Sequence, residues 1–169
     1  MKYLQLLCCA LVLSALAGCE GYGDPDNIVL TVPPPEEYEA ITMERSEFEA
    51  AVQMMPAQAI VKAGKIYIKD GFLFLNDVNR GFHIYDYSDP ASPVALGFLA
   101  IPGATDLAMR DNVLLINQAT DLVTLLFDAG ANNITVMHRN ADVFPAMPSP
   151  NGSFEDVADN EIIVGWETI

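Results

Sequence analysis

The chain of 169 residues contains three cysteines, and none lies beyond position 19. Cys8 and Cys9 sit inside an apolar run and Cys19 closes it. The rest of the chain therefore has no thiol for a disulfide framework, a cysteine nucleophile or a Cys-based zinc site. Basic residues are scarce as well: eight Lys and Arg stand against 23 Asp and Glu, a formal charge of −15. That balance argues against nucleic acid, whose phosphates must be neutralised by Lys and Arg. It equally disfavours docking onto anionic headgroups. Only two histidines are present, His83 and His138. Without an HExxH, an HxH or a Cys/His cluster, a transition-metal centre lacks ligands. A G-x-S-x-G elbow and a Gly-rich phosphate loop are both missing. The apolar run Leu4 to Ala17 falls short of the roughly 20 residues that span a bilayer.

What is present starts with that run. Lys2 precedes it and small residues end it, the order of charge, apolar core and cleavage site that marks an export signal over residues 1–18. Leu16-Ala17-Gly18-Cys19 resembles a bacterial lipoprotein box. The resemblance implies lipidation of Cys19 as the mature N-terminus and attachment to a membrane through it. By the same resemblance, Glu20 at the next position directs the protein to the outer membrane. Residues 19–41 are acidic and rich in proline, with Pro33-Pro34-Pro35 and one extended patch, Ile28–Val32. They read as a disordered tether, which fully extended at about 3.1 Å per residue reaches roughly 60 Å.

Residues 42–63 read as a short helix and a connector. Ser46 and Glu49 have capping-box spacing, Phe48, Ala51, Val52 and Met55 share one helical face, and Pro56 ends the segment. From residue 64 to 169 the period is two. Lys65–Lys69, Phe72–Asn76 and Gly81–Asp86 are short β-rich runs divided by Asp70-Gly71 and Asn79-Arg80-Gly81, and Val94–Ile101 follows a proline turn. The order then returns: Leu107–Asn117 overlays Ile66–Asn76, Phe127-Asp128 matches Tyr85-Asp86 after one inserted residue, and Ile134–Arg139 matches the strand from Val94. Repeats of about 64–104 and 105–145, then an irregular segment and a strand from Glu161, predict an all-β fold. Its core is a partial β-propeller-like array of about two blades.

Tyr85-Asp86-Tyr87-Ser88-Asp89-Pro90-Ala91-Ser92-Pro93-Val94 resembles the recurring turn of LVIVD-repeat β-propeller proteins. Asn79–Ile84, Ile101-Pro102-Gly103, Thr120–Val123 and Val143-Phe144-Pro145 are similar to segments of LVIVD-repeat lipoproteins of Bacteroidetes-type bacteria. Phe127–Asn132 departs from the family's Ser-Asp-Pro turn. The family supplies no activity to carry over, and its members usually continue with further repeats, so the resemblance implies a truncated propeller. Two blades cannot close a ring of about 4–8. Open edges invite self-association.

Candidate chemistry is sparse. His83, among aromatics on a strand, and His138, beside Arg139, read as ordinary strand histidines. Ser88, Ser92, Ser149 and Ser153 fall in turns. Asp86, Asp89 and Asp128 read as turn formers whose carboxylates hold nearby backbone N–H groups. The run Asp156–Glu161 is the one candidate for calcium, although it lacks the EF-hand spacing. Asn133 and Asn151 head Asn-x-Ser/Thr triplets of little weight. The expectation is an envelope protein without cofactor or catalytic residues that binds or scaffolds a protein or glycan. The alternative is an extracellular carbohydrate hydrolase or lyase using Asp and His at the blade tops. Metabolic labelling with an alkyne fatty acid is expected to mark the wild-type protein and spare Cys19→Ser; an unlabelled wild type would refute the anchor.

Overall fold

The computed structural model describes residues 36–169. The signal peptide, Cys19 and the Ile28–Val32 patch lie outside the described residues. Alternating apolar and polar residues produce eleven strands among the described residues: β1 (Tyr38–Glu44), β2 (Gln53–Met55), β3 (Ala63–Lys69), β4 (Phe72–Asp77), β5 (Gly81–Asp86), β6 (Val94–Ala100), β7 (Ala104–Arg110), β8 (Val113–Gln118), β9 (Asp121–Asp128), β10 (Asn133–Asn140) and β11 (Glu161–Thr168). A single short helix, α1 (Arg45–Ala50), interrupts them. The fold is all-β.

All pairing is antiparallel, in three open sheets. Sheet I has the order β2-β6-β5-β4-β3, sheet II the order β10-β9-β8-β7, and β1 pairs with β11 alone. Asp70-Gly71 joins β3 to β4 with φ of 51° and 82°, the left-handed pair that a tight hairpin needs and that this dipeptide adopts readily. Gly81 opens β5 with φ 142°, and a Cβ there would sit 2.0 Å from the carbonyl oxygen of Leu99. No other residue fits that approach.

The core lies between sheets I and II. Phe74, Phe82, Ile84 and Leu99 of sheet I are buried against Leu107, Leu114, Ile116, Val123, Leu125 and Phe127 of sheet II. Phe127 stands edge-on to Phe72 and Phe74, with ring centroids 5.3 and 6.2 Å apart, a geometry that adds about 0.5–1.5 kcal/mol per pair beyond the area buried.

Corresponding hydrogen bonds align the two sheets. The N–H of Val78 donates to the carbonyl of Lys62 and that of Ala119 to Gly103, both at 2.9 Å; donors and acceptors each lie 41 positions apart. The N–H of Tyr87 donates to Gly71 at 2.7 Å and that of Phe127 to Asn112 at 2.8 Å. Here the donors are 40 apart. The reason is a hairpin one residue shorter: Asp77 faces Gly81, whereas Gln118 faces Asp121. The second unit therefore loses a residue at this hairpin where the sequence reading inserts one, and Phe127 corresponds to Tyr87 instead of Tyr85.

This alignment inverts the buried face. Phe74, Phe82 and Ile84, buried in sheet I, correspond to Leu115, Leu122 and Thr124, which face outward in sheet II. Conversely Leu107, Leu114, Ile116 and Leu125, buried in sheet II, correspond to Ile66, Leu73, Leu75 and Tyr85 on the outer side of sheet I.

Other boundaries differ from the sequence reading. Residues 38–41, assigned to the tether, belong to β1, because Ile162 and Ile163 offer partners to Thr42 and Met43 and the pairing continues to Tyr38. The helix begins one residue before Ser46, with Glu44 as N-cap and no side-chain cap bond, so the Ser46–Glu49 box does not form. It ends at Ala50, and Met54 and Met55 join β2 beside Leu99 and Phe98. Only Phe48 of the expected helical stripe is buried in α1, against Ala119 and Val164. Phe82→Ala is expected to lower the free energy of unfolding by about 3–5 kcal/mol, while Phe154→Ala, at a residue 70% exposed, changes it by less than about 0.5 kcal/mol. Urea denaturation followed by circular dichroism checks both.

Candidate functional site

Among the described residues two carboxylates are completely buried, Asp77 and Asp121, and neither is among the turn formers expected. Asp77, at the end of β4, accepts the backbone N–H of Val61 (3.1 Å) and Lys62 (2.8 Å) and Nη1 of Arg80 (2.8 Å). His83 Nε2 lies 3.2 Å from the same group. An ionised carboxylate only accepts, so this contact places the proton on Nε2. The ring of His83 also packs on Phe98, 4.8 Å between centroids, and the Arg80 guanidinium lies over the same ring, 5.6 Å from its centroid. Burial works against the charge of Asp77, but the two N–H donors, His83 and Arg80 outweigh it and hold the carboxyl below its ordinary value.

Asp121 opens β9 at the same hairpin of sheet II. Arg45 binds it in bidentate fashion at 3.0 and 2.8 Å, Arg139 adds a contact of 2.7 Å, and the N–H of Asp142 donates at 3.2 Å. Burial again opposes the charge, and Arg139, Arg45 and the Asp142 N–H overcome it, so this carboxyl too sits below its ordinary value. Both guanidinium groups lie over the ring of Phe48, at 5.7 and 5.2 Å. One charge cluster therefore joins α1, β9 and β10. Four hydrogen bonds converge on the Asp77 carboxylate and five on that of Asp121, the fifth from the Thr120 hydroxyl. Both act as structural hubs.

A cleft of about 450 Å³ opens between the hairpin tips of the two sheets. Asp70, Asp111 and Asp128 stand at it, and Phe72, Met109 and Phe127 are among its apolar walls. A shallower groove of about 310 Å³ crosses the outer face of sheet II, lined by Asp106, Leu115, Asn117, Leu122 and Phe144 among others. The Oδ1 of Asn117 is buried there without a hydrogen-bond partner. On the edge where β3 nears β7, Lys65 Nζ bonds Asp106 at 2.8 Å and the Tyr67 hydroxyl donates to the same carboxylate.

The sequence candidates scatter. His83 lines none of these cavities, and His138 is exposed on β10 opposite Thr124. Asp86, Asp89 and Asp128 each accept a nearby backbone N–H, from Ser88, Ala91 and Ala131; of these, Asp128 alone reaches the cleft. Ser88 and Ser92 are exposed in the turn before β6, Ser149 and Ser153 bond each other at 2.7 Å, and Asn151 closes that turn. Asn133 is exposed at the start of β10. Asp156 and Asp159 are exposed, Glu161 is half-buried at the start of β11, and no group of three His, Cys, Asp or Glu among the described residues is placed to hold a metal ion. Among the described residues no helix is long and apolar enough to cross a membrane. Cys19 lies outside them. Asp77 and Asp121 escaped notice because nothing local separates them from other hairpin aspartates; the one signal is an Arg three residues after Asp77.

Comparison with family models, with curated proteins and with solved structures finds no match to this chain.

The lowered pKa values have a defined consequence. A carboxyl held below its unfolded value stabilises the fold above that value, about 3.9, and the contribution disappears as pH falls through the folded pKa. Asp121→Asn is therefore expected to lower stability at neutral pH by about 3 kcal/mol, near the low end for breaking a buried pair because Arg45 keeps Glu49 as a partner. It should also flatten the loss of stability between about pH 5 and pH 2. Denaturant titrations of both proteins across that range check the sign.

Proposed function

We propose that the chain is a lipid-anchored envelope protein of a Gram-negative bacterium that binds or scaffolds a protein or glycan through a β-propeller-like repeat surface. Residues 63–100 and 104–140 are its two blades. The observation that carries this reading is the inversion of the buried face between corresponding strands, with the paired Val78–Lys62 and Ala119–Gly103 bonds that set the alignment. In a propeller each blade turns one face to the blade before it and the opposite face to the blade after it. A two-fold sandwich would bury the same face of both units. The LVIVD-like turn at Tyr85–Val94 agrees with the propeller reading. Anchoring rests on Leu16-Ala17-Gly18-Cys19, and outer-membrane placement on Glu20.

The step from fold to role is by analogy, since propellers host many functions. Binding is favoured by where the carboxylates are. A carbohydrate hydrolase or lyase asks for His83 and two carboxylates around a cavity, whereas His83 meets Asp77, whose oxygens are already occupied. The purified full chain is expected to retain an envelope glycan or peptidoglycan-associated protein saturably and to release no new reducing ends from envelope polysaccharides. Turnover that disappears in His83→Ala, or in Asp70→Asn with Asp111→Asn, would overturn the reading. Fractionation should find the wild type, and not Cys19→Ser, in the outer membrane.

A further inference from the structure

Among the described residues, the two stacked sheets leave one face of each kind without a covering sheet, with Phe144 alone of the later segment lining the groove on sheet II. Sheet I buries the face carrying Phe74, Phe82 and Ile84; sheet II buries the opposite face, carrying Leu107, Leu114, Ile116 and Leu125. What remains on sheet I is the second kind of face, with Ile66 and Ile68 60% and 57% exposed beside half-buried Leu73, Leu75 and Tyr85. What remains on sheet II is the first kind, with Ala108, Leu115, Leu122 and Thr124. The chain therefore carries two halves of a contact it already makes once inside itself.

We propose that the outer face of sheet II docks on the outer face of sheet I of a second copy of this chain, so that copies associate head to tail. The proposal rests on the stacked-repeat reading above and names the partner of that surface. Apolar exposure alone would not choose the occupant; two polar positions do. Within one chain, Asn76 Nδ2 reaches the carbonyl of Ala104 at 3.4 Å, at the start of the next sheet's first strand. Asn117 occupies the same hairpin position in sheet II and its side chain makes no hydrogen bond among the described residues, so its Nδ2 is free to donate to a carbonyl as Asn76 Nδ2 does. The residue equivalent to Ala104 that a second copy brings there is Ala63, again an alanine at the start of a strand.

The charges follow the same rule. Lys65 of sheet I meets Asp106 of sheet II at 2.8 Å, and these two residues hold equivalent places on β3 and β7. At a junction between copies the ends exchange, so Asp106 of one chain faces Lys65 of the next. Like charges never meet at that position. Where such heterologous contacts close, the copies form a ring; two copies give four sheets, the lower limit of about 4–8 for propellers.

Analytical ultracentrifugation of the full chain in detergent, with the detergent mass matched out, tests this. Wild type is expected as a discrete species of two to four chains. Ile68→Asp and Leu115→Asp should each weaken association by at least about 100-fold, the scale of burying an unpaired carboxylate. An equimolar mixture of the two variants should recover a dimer, because it leaves one intact pair of faces. Thr124→Arg, on the outer face of sheet II, replaces Leu115→Asp if that variant loses its cooperative melting transition. A monomer at all concentrations, association that survives both variants, or a mixture that fails to recover would overturn the proposal. A folded monomer that still binds its glycan or protein would remove the second copy as occupant and leave the repeat reading standing.

Discussion

The packing of sheet I on sheet II through opposite faces is the constraint on which the rest of this molecule depends. Phe74, Phe82, Ile84 and Leu99 have no partner within their own sheet's far side, and Leu114, Ile116, Val123 and Leu125 have none within theirs. Each meander is a single layer that cannot bury its apolar face alone. Once they are stacked, the turn geometry, the Gly81 close approach and the edge contact between β3 and β7 become mutually consistent.

Around this stack the buried carboxylates act as fasteners. Asp77 holds the connector from β2 to β3 across the end of sheet I, and Asp121 holds α1 and β10 to the matching end of sheet II. The sequence differs at the two places: one carboxylate ends β4, the other starts β9. Their hairpin corner is the same. Desolvation takes back much of the attraction in such pairs, so their weight lies in what removing one partner would leave: a buried charge without compensation.

Much of the β architecture is legible in the residues because a period of two is a local property. Lys65–Lys69, Phe72–Asn76 and Gly81–Asp86 alternate cleanly and are bounded by Asp70-Gly71 and Asn79-Arg80-Gly81, so their strands are readable. Residues 38–55 are not, because their structure is decided at a distance. Thr42 and Met43 are strand residues through Ile162 and Ile163, more than a hundred positions away, and Met54 and Met55 through Leu99 and Phe98. Ser46 and Glu49 satisfy the spacing of a cap, but the helix takes its N-cap at Glu44, two residues before Ser46. The offset between the units is readable from Ile66 to Asn76 and misread after it, since a residue missing from a hairpin looks the same as one added beyond it until the pairing is known. Asp77 and Asp121 stay hidden for a related reason: their buried carboxylates depend on groups that arrive from other segments, the N–H groups of Val61 and Lys62 for Asp77 and Arg45 for Asp121.

The pairing of β1 with β11 has a mechanical meaning. Tyr38, the first residue of β1, lies opposite Thr168, so the first of the described strands is sewn to the last of them. A force acting on Tyr38 loads β1 first and with it the ladder that β1 forms with β11. It then passes through Arg45, clamped in two bonds to Asp121, into the middle of sheet II. Load applied at Tyr38 is thereby shared by two strands far apart in sequence and by a buried ion pair before it reaches the inter-sheet core.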